Sequence, residues 1–254
     1  MKTSFIRLKI SFYCVIILLY RERWNLPMQR IPKSTLKRLA LYHRCFLDLQ
    51  KAGVVKIQSR ELSAQMGIEP ATIRKDFSYL GELGRQGYGY KVEFVLDAFE
   101  QVLNIEAKQK CILIGAGNLG RALMNFFSSE RFKGKICHAP TELVAAFDAN
   151  QAVAGLTVNN IPILHDKEMI EYIKTNDIKY IVLAVPSQEA QKIVDSVKGL
   201  GIEGILNLTS SIINAGDIVV HEVDLAIELE TLVFTAIQEQ VNRKQTTIKD
   251  LLDL

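Results

Sequence analysis

The sequence has few of the residues that build metal centres and disulfide frameworks. Its 254 residues include four cysteines and four histidines. The cysteines are scattered, with no C-x-x-C pair and no histidine at metal-ligand spacing; they are Cys14, Cys45, Cys111 and Cys137. We therefore expect neither a metal site nor a disulfide, as is usual in the reducing cytoplasm.

The N-terminal region lacks an apolar run that can cross a membrane. Apolar residues 12–20 follow Lys2, Arg7 and Lys9 as in a signal peptide, but a bilayer span takes roughly 18–20 apolar residues. No small-residue cleavage site follows this run. We interpret residues 1–28 as a variable or mis-assigned extension, with Met28 as the expected start; a membrane-tethered protein is the alternative.

The small net charge of +3 is the sum of two parts of opposite sign. Residues 29–91 hold twelve lysines and arginines against five acidic residues, whereas residues 92–254 hold fourteen against twenty-two. With 48% hydrophobic and 23% charged residues, the composition is that of a globular protein with two domains. The basic part suggests contact with a polyanion, and a merely solvated basic face is the simpler alternative.

Residues 29–105 have the organisation of a winged-helix domain with a linker helix. Frequent apolar residues predict a helix over 34–50, which Gly53 ends. A second amphipathic pattern over 93–104 predicts the helix that connects this domain to the next.

Two short helices are predicted between these longer ones. Ser59 is a suitable N-cap for a helix over 60–66 that Gly67 stops. Pro70 then stands at a first-turn position of a helix over 71–80. Two short helices joined by a tight glycine turn form the helix-turn-helix pattern.

The second short helix has an apolar side and a polar side. Ile73, Phe77 and Leu80 recur at i, i+4 and i+7 and are expected to face the core. The outward residues are of the types that contact phosphates and base edges in a major groove; they are Thr72, Arg74, Lys75, Ser78 and Tyr79. This pattern predicts a DNA recognition helix.

A glycine-rich segment follows the recognition helix directly, with glycines at 81, 84, 87 and 89. Its candidate DNA-binding side chains are Arg85, Gln86 and Tyr88. Such a hairpin is typical of a wing, whose tip can enter the adjacent minor groove. An ordinary surface hairpin with packed tyrosines is the alternative.

Residues 106–223 show the strand and helix alternation of a Rossmann domain with a doubly wound parallel sheet. An apolar strand over 111–114 runs into a G-x-G-x-x-G loop and then into a helix over 121–127. The candidate cofactor-binding loop consists of Gly115, Ala116, Gly117, Asn118, Leu119 and Gly120. In this motif the first glycine makes the turn, the second admits a pyrophosphate, and the third lets strand and helix pack closely.

An acid follows the next predicted strand, over 143–147. Asp148 can accept hydrogen bonds from ribose hydroxyls and would repel a 2′-phosphate, which favours NAD(H) over NADP(H). A coenzyme A-binding module is the less suitable alternative, because an acid fits a free ribose better than a 3′-phosphorylated one. Later strand ends should complete the crevice; the candidate cofactor-binding residues there are Val185, Pro186 and Ser187, and Asn207, Leu208 and Thr209 are expected nearby.

Residues 224–254 are expected to form a dimerisation helix. Apolar residues are frequent over 224–244, so the helix needs a partner surface. It can close its own domain or dock on a second subunit. The second interpretation suits a DNA reader, because a two-fold dimer matches two half-sites.

Together these residues resemble the Rex family of redox-sensing repressors over nearly all of residues 29–245. The matching runs are Ile31-Pro32-Lys33, Ile73-Arg74-Lys75-Asp76, Gly87-Tyr88-Gly89-Tyr90, the GAGNLG loop, Ala146-Phe147-Asp148, Val185-Pro186, Gly204-Ile205-Leu206-Asn207 and Val223-Asp224-Leu225. The resemblance implies a homodimer with a domain-swapped C-terminal helix. It also implies binding to inverted-repeat operator DNA and release when NADH displaces NAD⁺.

The chain departs from the family pattern at two places near the expected nicotinamide. Phe126 stands where the family commonly has a tyrosine tied to redox sensing, and residues 209–213 replace a typical Ala-Pro-containing run. Asp224 is retained, and the resemblance implies that it pairs with Arg44 in one conformational state. We therefore assign Arg44, Phe126 and Asp224 to conformational coupling.

An NAD-dependent oxidoreductase with an accessory N-terminal domain is the rival interpretation. It needs a proton donor beside the nicotinamide, and none of the four histidines is well placed along the sequence; they are His43, His138, His165 and His221. We therefore expect no catalytic residue and no enzymatic activity.

Overall fold

The computed structural model describes residues 31–81, 83–85, 88–103, 109–128 and 141–252. The predicted extension 1–28, the wing residue Gln86, Cys14, Cys137 and His138 lie outside these ranges. The described residues up to Leu103 form one compact unit and those from Gln109 form a second. Within the ranges described, none of the helices combines the length and the hydropathy that a membrane span needs.

The N-terminal unit is a winged helix. Its elements are α1 (Lys33–Lys51), β1 (Lys56–Ile57), α2 (Ser59–Met66), α3 (Pro70–Ser78), β2 (Gly84–Arg85), β3 (Gly89–Lys91) and α4 (Val92–Leu103). The three short strands pair antiparallel in the order β1-β3-β2. Helices α2 and α3 form the predicted helix-turn-helix, and β2 and β3 form the predicted wing.

Phe77 of α3 stands at the centre of the core of this unit. Its ring centroid lies 5.1 Å from that of Tyr42, 5.8 Å from that of Phe46 and 4.8 Å from that of Tyr90. These edge-on and tilted contacts join α1, α3 and the wing strand β3, and aromatic pairs of this kind add to the stabilisation from burial alone. Helix α3 is thus packed by its apolar side, as its periodicity predicts.

The start of α2 differs in detail from the prediction. The N-cap is Gln58 rather than Ser59, because the backbone N–H of Gln58 donates to Oε2 of Glu61 at 2.6 Å, as in a capping box. Ser59 is therefore the first residue of the helix. Gly67 ends it with φ +66°, a left-handed conformation that glycine adopts without strain.

The C-terminal unit is a Rossmann-type sheet. Its elements are β4 (Gln109–Ile114), α5 (Asn118–Ser128), β5 (Thr141–Asp148), β6 (Thr157–Val158), β7 (Ile161–His165), α6 (Met169–Asn176), β8 (Tyr180–Leu183), α7 (Ser187–Val197), β9 (Gly204–Asn207), β10 (Val219–Glu222) and α8 (Leu225–Leu252). The strand order is β10-β9-β8-β4-β5-β7-β6, and all neighbours are parallel except β6 and β7. The predicted α/β fold class is confirmed.

The central strand β4 explains where a ligand can bind. Its Ile112 and Ile114 belong to one hydrophobic core and its Cys111 and Leu113 to the other, so both faces of the sheet are covered and the strand is apolar throughout. Strands β5 and β7 lie on one side of β4, and the chain then returns to form β8 on the other side of β4. That reversal is a topological switch point, and ligands bind at the carboxyl ends of the strands beside it.

Candidate functional site

The outer face of α3 carries exposed basic and polar side chains. Arg74, Lys75 and Ser78 are exposed, whereas Thr72 and Tyr79 are half-buried. The helix begins at Pro70 and ends at Ser78 rather than spanning the predicted 71–80, so Tyr79 is its C-cap. Pro70 occupies the first turn, where the missing N–H of proline is no loss. The structure thus brings the predicted DNA-binding residues of α3 onto one side, with the three exposed ones at its centre.

Two hydrogen bonds hold parts of this face in place. Nη1 of Arg74 donates to Oγ of Ser59 at 3.3 Å, which links α3 to the first turn of α2. The hydroxyl of Ser78 donates to the carbonyl of Lys75 at 2.7 Å, one turn earlier in the same helix. The oxygen of Ser78 can still accept, and most of the Arg74 donors are left for an external partner.

The wing presents an aromatic ring beside a cation. Tyr88 is 70% exposed, and Nζ of Lys56 lies 4.6 Å from the centre of its ring, a cation–π arrangement. Lys56 belongs to β1 and is in register with Lys91 of β3. Sequence reasoning missed Lys56; its place on the strand that pairs with the wing is the signal that identifies it. The backbone of Arg85 lies in β2.

The inner face of α3 holds a buried carboxylate that sequence reasoning also missed. Asp76 is 1% exposed. Its Oδ2 accepts from Nε of Arg38 at 2.6 Å and from the hydroxyl of Tyr42 at 2.9 Å. Its Oδ1 accepts from Nη2 of Arg38 at 2.8 Å and from the hydroxyl of Thr35 at 3.0 Å. Both oxygens therefore have two donors each, and all of these donors come from α1.

The environment of Asp76 keeps it ionised. Burial alone would raise the pKa of this carboxyl, but the hydrogen bonds from Arg38, Tyr42 and Thr35 together outweigh burial and hold the pKa below its usual value. Burial and the hydrogen bond to Asp76 raise the pKa of Tyr42, which therefore stays protonated and donates. The result is an ion pair that joins α3 to α1.

In the second unit, the glycine loop between β4 and α5 lies against both neighbouring strands. The N–H of Gly115 donates to the carbonyl of Phe147 at 2.8 Å, and the N–H of Ala184 donates to the carbonyl of Ile114 at 2.8 Å. Gly115 has φ +97°, and a Cβ there would meet the carbonyl oxygen of Ala184. The turn into the loop therefore requires glycine.

The other two glycines of the motif differ sharply from each other. A Cβ on Gly120 would meet the carbonyl oxygen of Gly115, so this position must be glycine for the loop and α5 to pack. A Cβ on Gly117 meets nothing within 4 Å, and its backbone is not in the left-handed region. The protein's own packing does not require glycine at 117, which leaves space for a ligand above the start of α5.

Asp148 at the end of β5 contacts the glycine loop itself. Its Oδ2 accepts from the N–H of Ala116 at 2.7 Å, and its Oδ1 accepts from the N–H of Asn150 at 2.8 Å. A carboxylate has about four lone-pair positions, so both oxygens can still accept from ribose hydroxyls. Asp148 therefore holds the loop, and its role toward a ribose stays a prediction.

The other predicted cofactor-binding residues lie at the ends of β8 and β9. Val185 is half-buried, Pro186 caps α7, and Ser187 begins it. Oγ of Ser211 donates to the carbonyl of Ser187 at 3.3 Å, which ties the two loops together. The residues predicted from the β8 and β9 strand ends thus lie beside each other.

A buried network of hydrogen bonds joins residues 207–211, at the end of β9. We call these residues the polar wall. The side-chain oxygen of Asn207 accepts from the N–H of Thr209 at 3.0 Å and from its hydroxyl at 2.7 Å. The Asn207 amide donates to the carbonyl of Ser211 at 2.8 Å, and the hydroxyls of Thr209 and Ser211 are 3.0 Å apart. The departure from the family pattern at 209–213 therefore produces a polar, hydrogen-bonded wall.

The three residues assigned to conformational coupling lie in or just before three different helices. Asp224 precedes α8, and its Oδ1 accepts from the N–H groups of Ala226 at 2.8 Å and Ile227 at 3.4 Å, which lowers the pKa of this carboxyl. Phe126 is 50% exposed on α5, and Arg44 is exposed on α1. Their coupling stays a prediction.

The fold and these two sites define a class of protein: a winged-helix DNA-binding domain joined in one chain to a dinucleotide-binding Rossmann domain. Residues 30–78 match the family described as "Putative DNA-binding protein N-terminus", and residues 106–211 match the "CoA binding domain" family. A redox-sensing transcriptional repressor Rex from Exiguobacterium sibiricum is 40% identical over 211 residues, which cover 83% of this chain and 93% of the relative. The chain belongs to the Rex family.

Solved structures agree with this assignment. RSP is a Rex-family repressor, and its structure in complex with β-NAD⁺ and operator DNA has a TM-score of 0.74 and 30% identity; the match covers 86% of this chain and 98% of that one. The structure of RSP in complex with β-NADH has a TM-score of 0.71 and 28% identity, and covers 85% and 99%. The predicted family is thereby confirmed.

Proposed function

We propose that this protein is a transcriptional repressor that binds operator DNA as a homodimer and is released when the NADH/NAD⁺ ratio rises. One observation carries the proposal: a recognition helix with an exposed basic face and a glycine loop with room for a ligand occur in the same chain. The solved relatives support it, because RSP has been solved with β-NAD⁺ and operator DNA and also with β-NADH.

On the DNA side, Arg74, Lys75 and Ser78 are the central contacts, with Thr72 and Tyr79 at the margin. Arginine and lysine side chains suit guanine edges and phosphates, and a serine hydroxyl suits either. In the wing, Lys56 lies beside the ring of Tyr88. Together with Arg85 and Gln86, these side chains approach the DNA backbone or the minor groove.

On the cofactor side, the backbone amides of the glycine loop at the start of α5 hold the pyrophosphate of NAD(H). Asp148 accepts from the adenosine ribose, and Val185, Pro186 and Ser187 line the nicotinamide side. The open space above Gly117 fits this group, and the carboxylate of Asp148 disfavours a phosphorylated ribose. When bound, the dinucleotide supplies the redox signal, through its oxidised or reduced ring.

The homodimer is supported by the exposed apolar side chains of α8. Eight large hydrophobic residues of this helix are 42–67% exposed; they are Leu225, Ile227, Leu229, Leu232, Val233, Phe234, Ile237 and Val241. An apolar surface of this extent needs a cover, and a second copy supplies it with two-fold symmetry. The domain-swapped arrangement that the family resemblance implies stays a prediction.

The response to NADH requires two dimer conformations with different affinities for the two forms of the cofactor. A ligand shifts such an equilibrium only by its differential affinity for the two states. NADH then favours the arrangement whose recognition helices do not match the operator half-sites. As a DNA-binding repressor, the protein is expected to act in the cytoplasm.

The absence of enzymatic activity is part of the proposal. Among the histidines within the described ranges, His165 stands at the end of β7, in register with Asp148. That is the ribose end of the expected site, away from the nicotinamide. An assay of hydride transfer with NADH and a panel of small carbonyl acids tests this directly, and turnover would support the oxidoreductase alternative.

The DNA-binding function is tested by selection from a random duplex library with the full-length protein. We expect recovery of an inverted-repeat duplex that binds more tightly than a scrambled duplex of the same length, with affinity that falls steeply as salt rises. Equal affinity for the selected and scrambled duplexes would contradict the proposed function.

A further inference from the structure

Helix α3 carries a buried charge directly behind its exposed basic face. Asp76 is 1% exposed, while the adjacent Lys75 and the nearby Arg74 are exposed. Aspartate is almost never fully buried unless it is paired. The position of Asp76 therefore requires an explanation beyond the filling of the core.

The partners of Asp76 all belong to one face of α1. Thr35, Arg38 and Tyr42 are spaced i, i+3 and i+7, and together they donate four hydrogen bonds to the carboxylate. Nη2 of Arg38 also donates to the hydroxyl of Thr35 at 3.2 Å, which fixes the guanidinium itself. Hydrogen bonds weaken steeply when they bend, and a bidentate arginine adds angular definition.

Apolar packing alone does not fix the orientation of α3 against α1. The contacts of Phe77 with Tyr42 and Phe46 hold α3 against α1, but hydrophobic attraction is non-directional and permits small rotations and shifts. The Arg38 side chain is 29% exposed, while that of Asp76 is 1% exposed. An ion pair that buries a charge is a poor source of stability, since apolar residues of similar volume often replace one at no loss. The network is therefore better explained by orientation than by stability.

We propose that Asp76 is a positioning residue for DNA reading. Its bonds to α1 set the rotation and axial position of α3, so that Arg74 and Lys75 reach base edges and phosphates in register. The inference rests on the proposed function, in which α3 is the recognition helix.

The test uses the full-length protein, the duplex that the wild type selects from a random library, and a scrambled duplex of equal length. Asp76→Asn keeps the shape of the side chain and removes the charge opposite Arg38. We expect the affinity for the selected duplex to fall by about 10–100-fold, the range of a lost base contact. Affinity for the scrambled duplex should stay within about twofold, because phosphate attraction is independent of sequence. NADH affinity should not change.

A second variant separates positioning from folding. Asp76→Leu combined with Arg38→Met and Tyr42→Phe replaces the network by apolar groups of similar size. We expect this triple variant to unfold at a urea concentration no lower than the wild type, yet to lose its preference for the selected duplex. A new selection with it should return relaxed base preferences. Asp48→Asn, an exposed carboxylate on the same helix α1, is the matched control and should change nothing.

The outcomes separate the positioning role from the proposed function. If the triple variant folds and keeps the wild-type preference, or if a folded variant loses affinity for both duplexes equally, the positioning role is wrong. If it does not fold, the network is required for stability and the proposal is also wrong. If the wild type itself selects no duplex, the proposed function fails, whatever the variants do.

Discussion

The two units of the protein build their binding surfaces in opposite ways. In the winged helix, the proposed DNA contacts come from side chains, Arg74 and Lys75, and behind them the buried carboxylate of Asp76 pairs with Arg38. In the Rossmann unit, the contacts come from the backbone of a loop whose shape depends on the absence of side chains at Gly115 and Gly120. The first surface depends on additional polar side chains, and the second depends on glycines that have no side chain.

This difference implies different responses to substitution. A side-chain surface can lose one contact at a time, so single changes should alter DNA affinity and leave the fold intact. A binding surface formed by backbone groups is lost as a whole when side chains replace the glycines that shape it. The exception is Gly117, where the space is open.

The largest expected effect follows from filling Gly120. In Gly120→Ala the new methyl group meets the carbonyl of Gly115, so we expect a loss of about 3 kcal/mol or more in the free energy of unfolding. Gly117→Ala is the matched control and should change the free energy of unfolding by less than about 1 kcal/mol while weakening NADH binding. Urea unfolding and NADH titration measure both. Equal destabilisation by the two substitutions would remove the distinction between these glycines.

The next effect is the loss of single DNA contacts. Arg74→Ala and Lys75→Ala should each weaken binding to the selected duplex by about 1–3 kcal/mol, because each removes a base or phosphate contact. Both residues are exposed, so unfolding and NADH affinity should stay close to wild type. Fluorescence anisotropy with labelled duplex is the measurement. Unchanged affinity in both variants would show that α3 does not read DNA.

The sequence predicted these two surfaces because each depends on local patterns. The alternation of Ile73 and Phe77 with polar residues defines the sides of α3, and the strand, glycine loop and helix around Gly117 are contiguous in the chain. Tight turns and helix faces are set by neighbours a few residues apart. The outward face of α3 and the position of the loop are therefore predictable from local sequence alone.

The parts that were not predicted depend on residues far apart in the sequence. Asp76 lies i+3 from Ile73, so the helical period places it inside, but its partner Arg38 stands in another helix. Lys56 reaches Tyr88 only through the pairing of β1 with β3. The short strands β6 and β7 carry no periodic signal of sufficient length. Asp148 was assigned to the ribose, and its bond to the N–H of Ala116 appears only in the fold.

A smaller effect is expected in the polar wall of the Rossmann unit. Thr209→Val removes the hydroxyl that donates to Asn207 at 2.7 Å, but the N–H of residue 209 still donates to the same oxygen. We therefore expect a loss of about 1 kcal/mol in the free energy of unfolding. Ser196→Ala, an exposed hydroxyl on α7, is the control. A loss equal to that of Gly120→Ala would mean that side chains, too, define this surface.

The smallest effect is expected in the acid dependence of the free energy of unfolding. Because the folded state lowers the pKa of Asp76, its stabilising contribution is complete above the ordinary carboxyl pKa of about 3.9. It disappears as the pH falls through the lowered value in the folded state, since the unfolded chain then binds the proton more readily. Asp76→Asn should remove this part of the acid dependence, measured by urea unfolding from pH 7 down to about pH 2, below the lowered pKa. An identical acid dependence in the variant would show that Asp76 does not contribute.

The most direct test of the account joins the two surfaces in one titration. NADH is added to the complex of the full-length protein with its selected duplex at fixed NAD⁺, for the wild type and for Gly117→Val, and DNA release is followed by anisotropy. We expect the wild-type complex to dissociate as NADH rises, and the Gly117→Val complex to persist, since a side chain at 117 enters space that the protein's own packing leaves open. A wild-type complex that survives saturating NADH, or equal release from both proteins, would contradict the account.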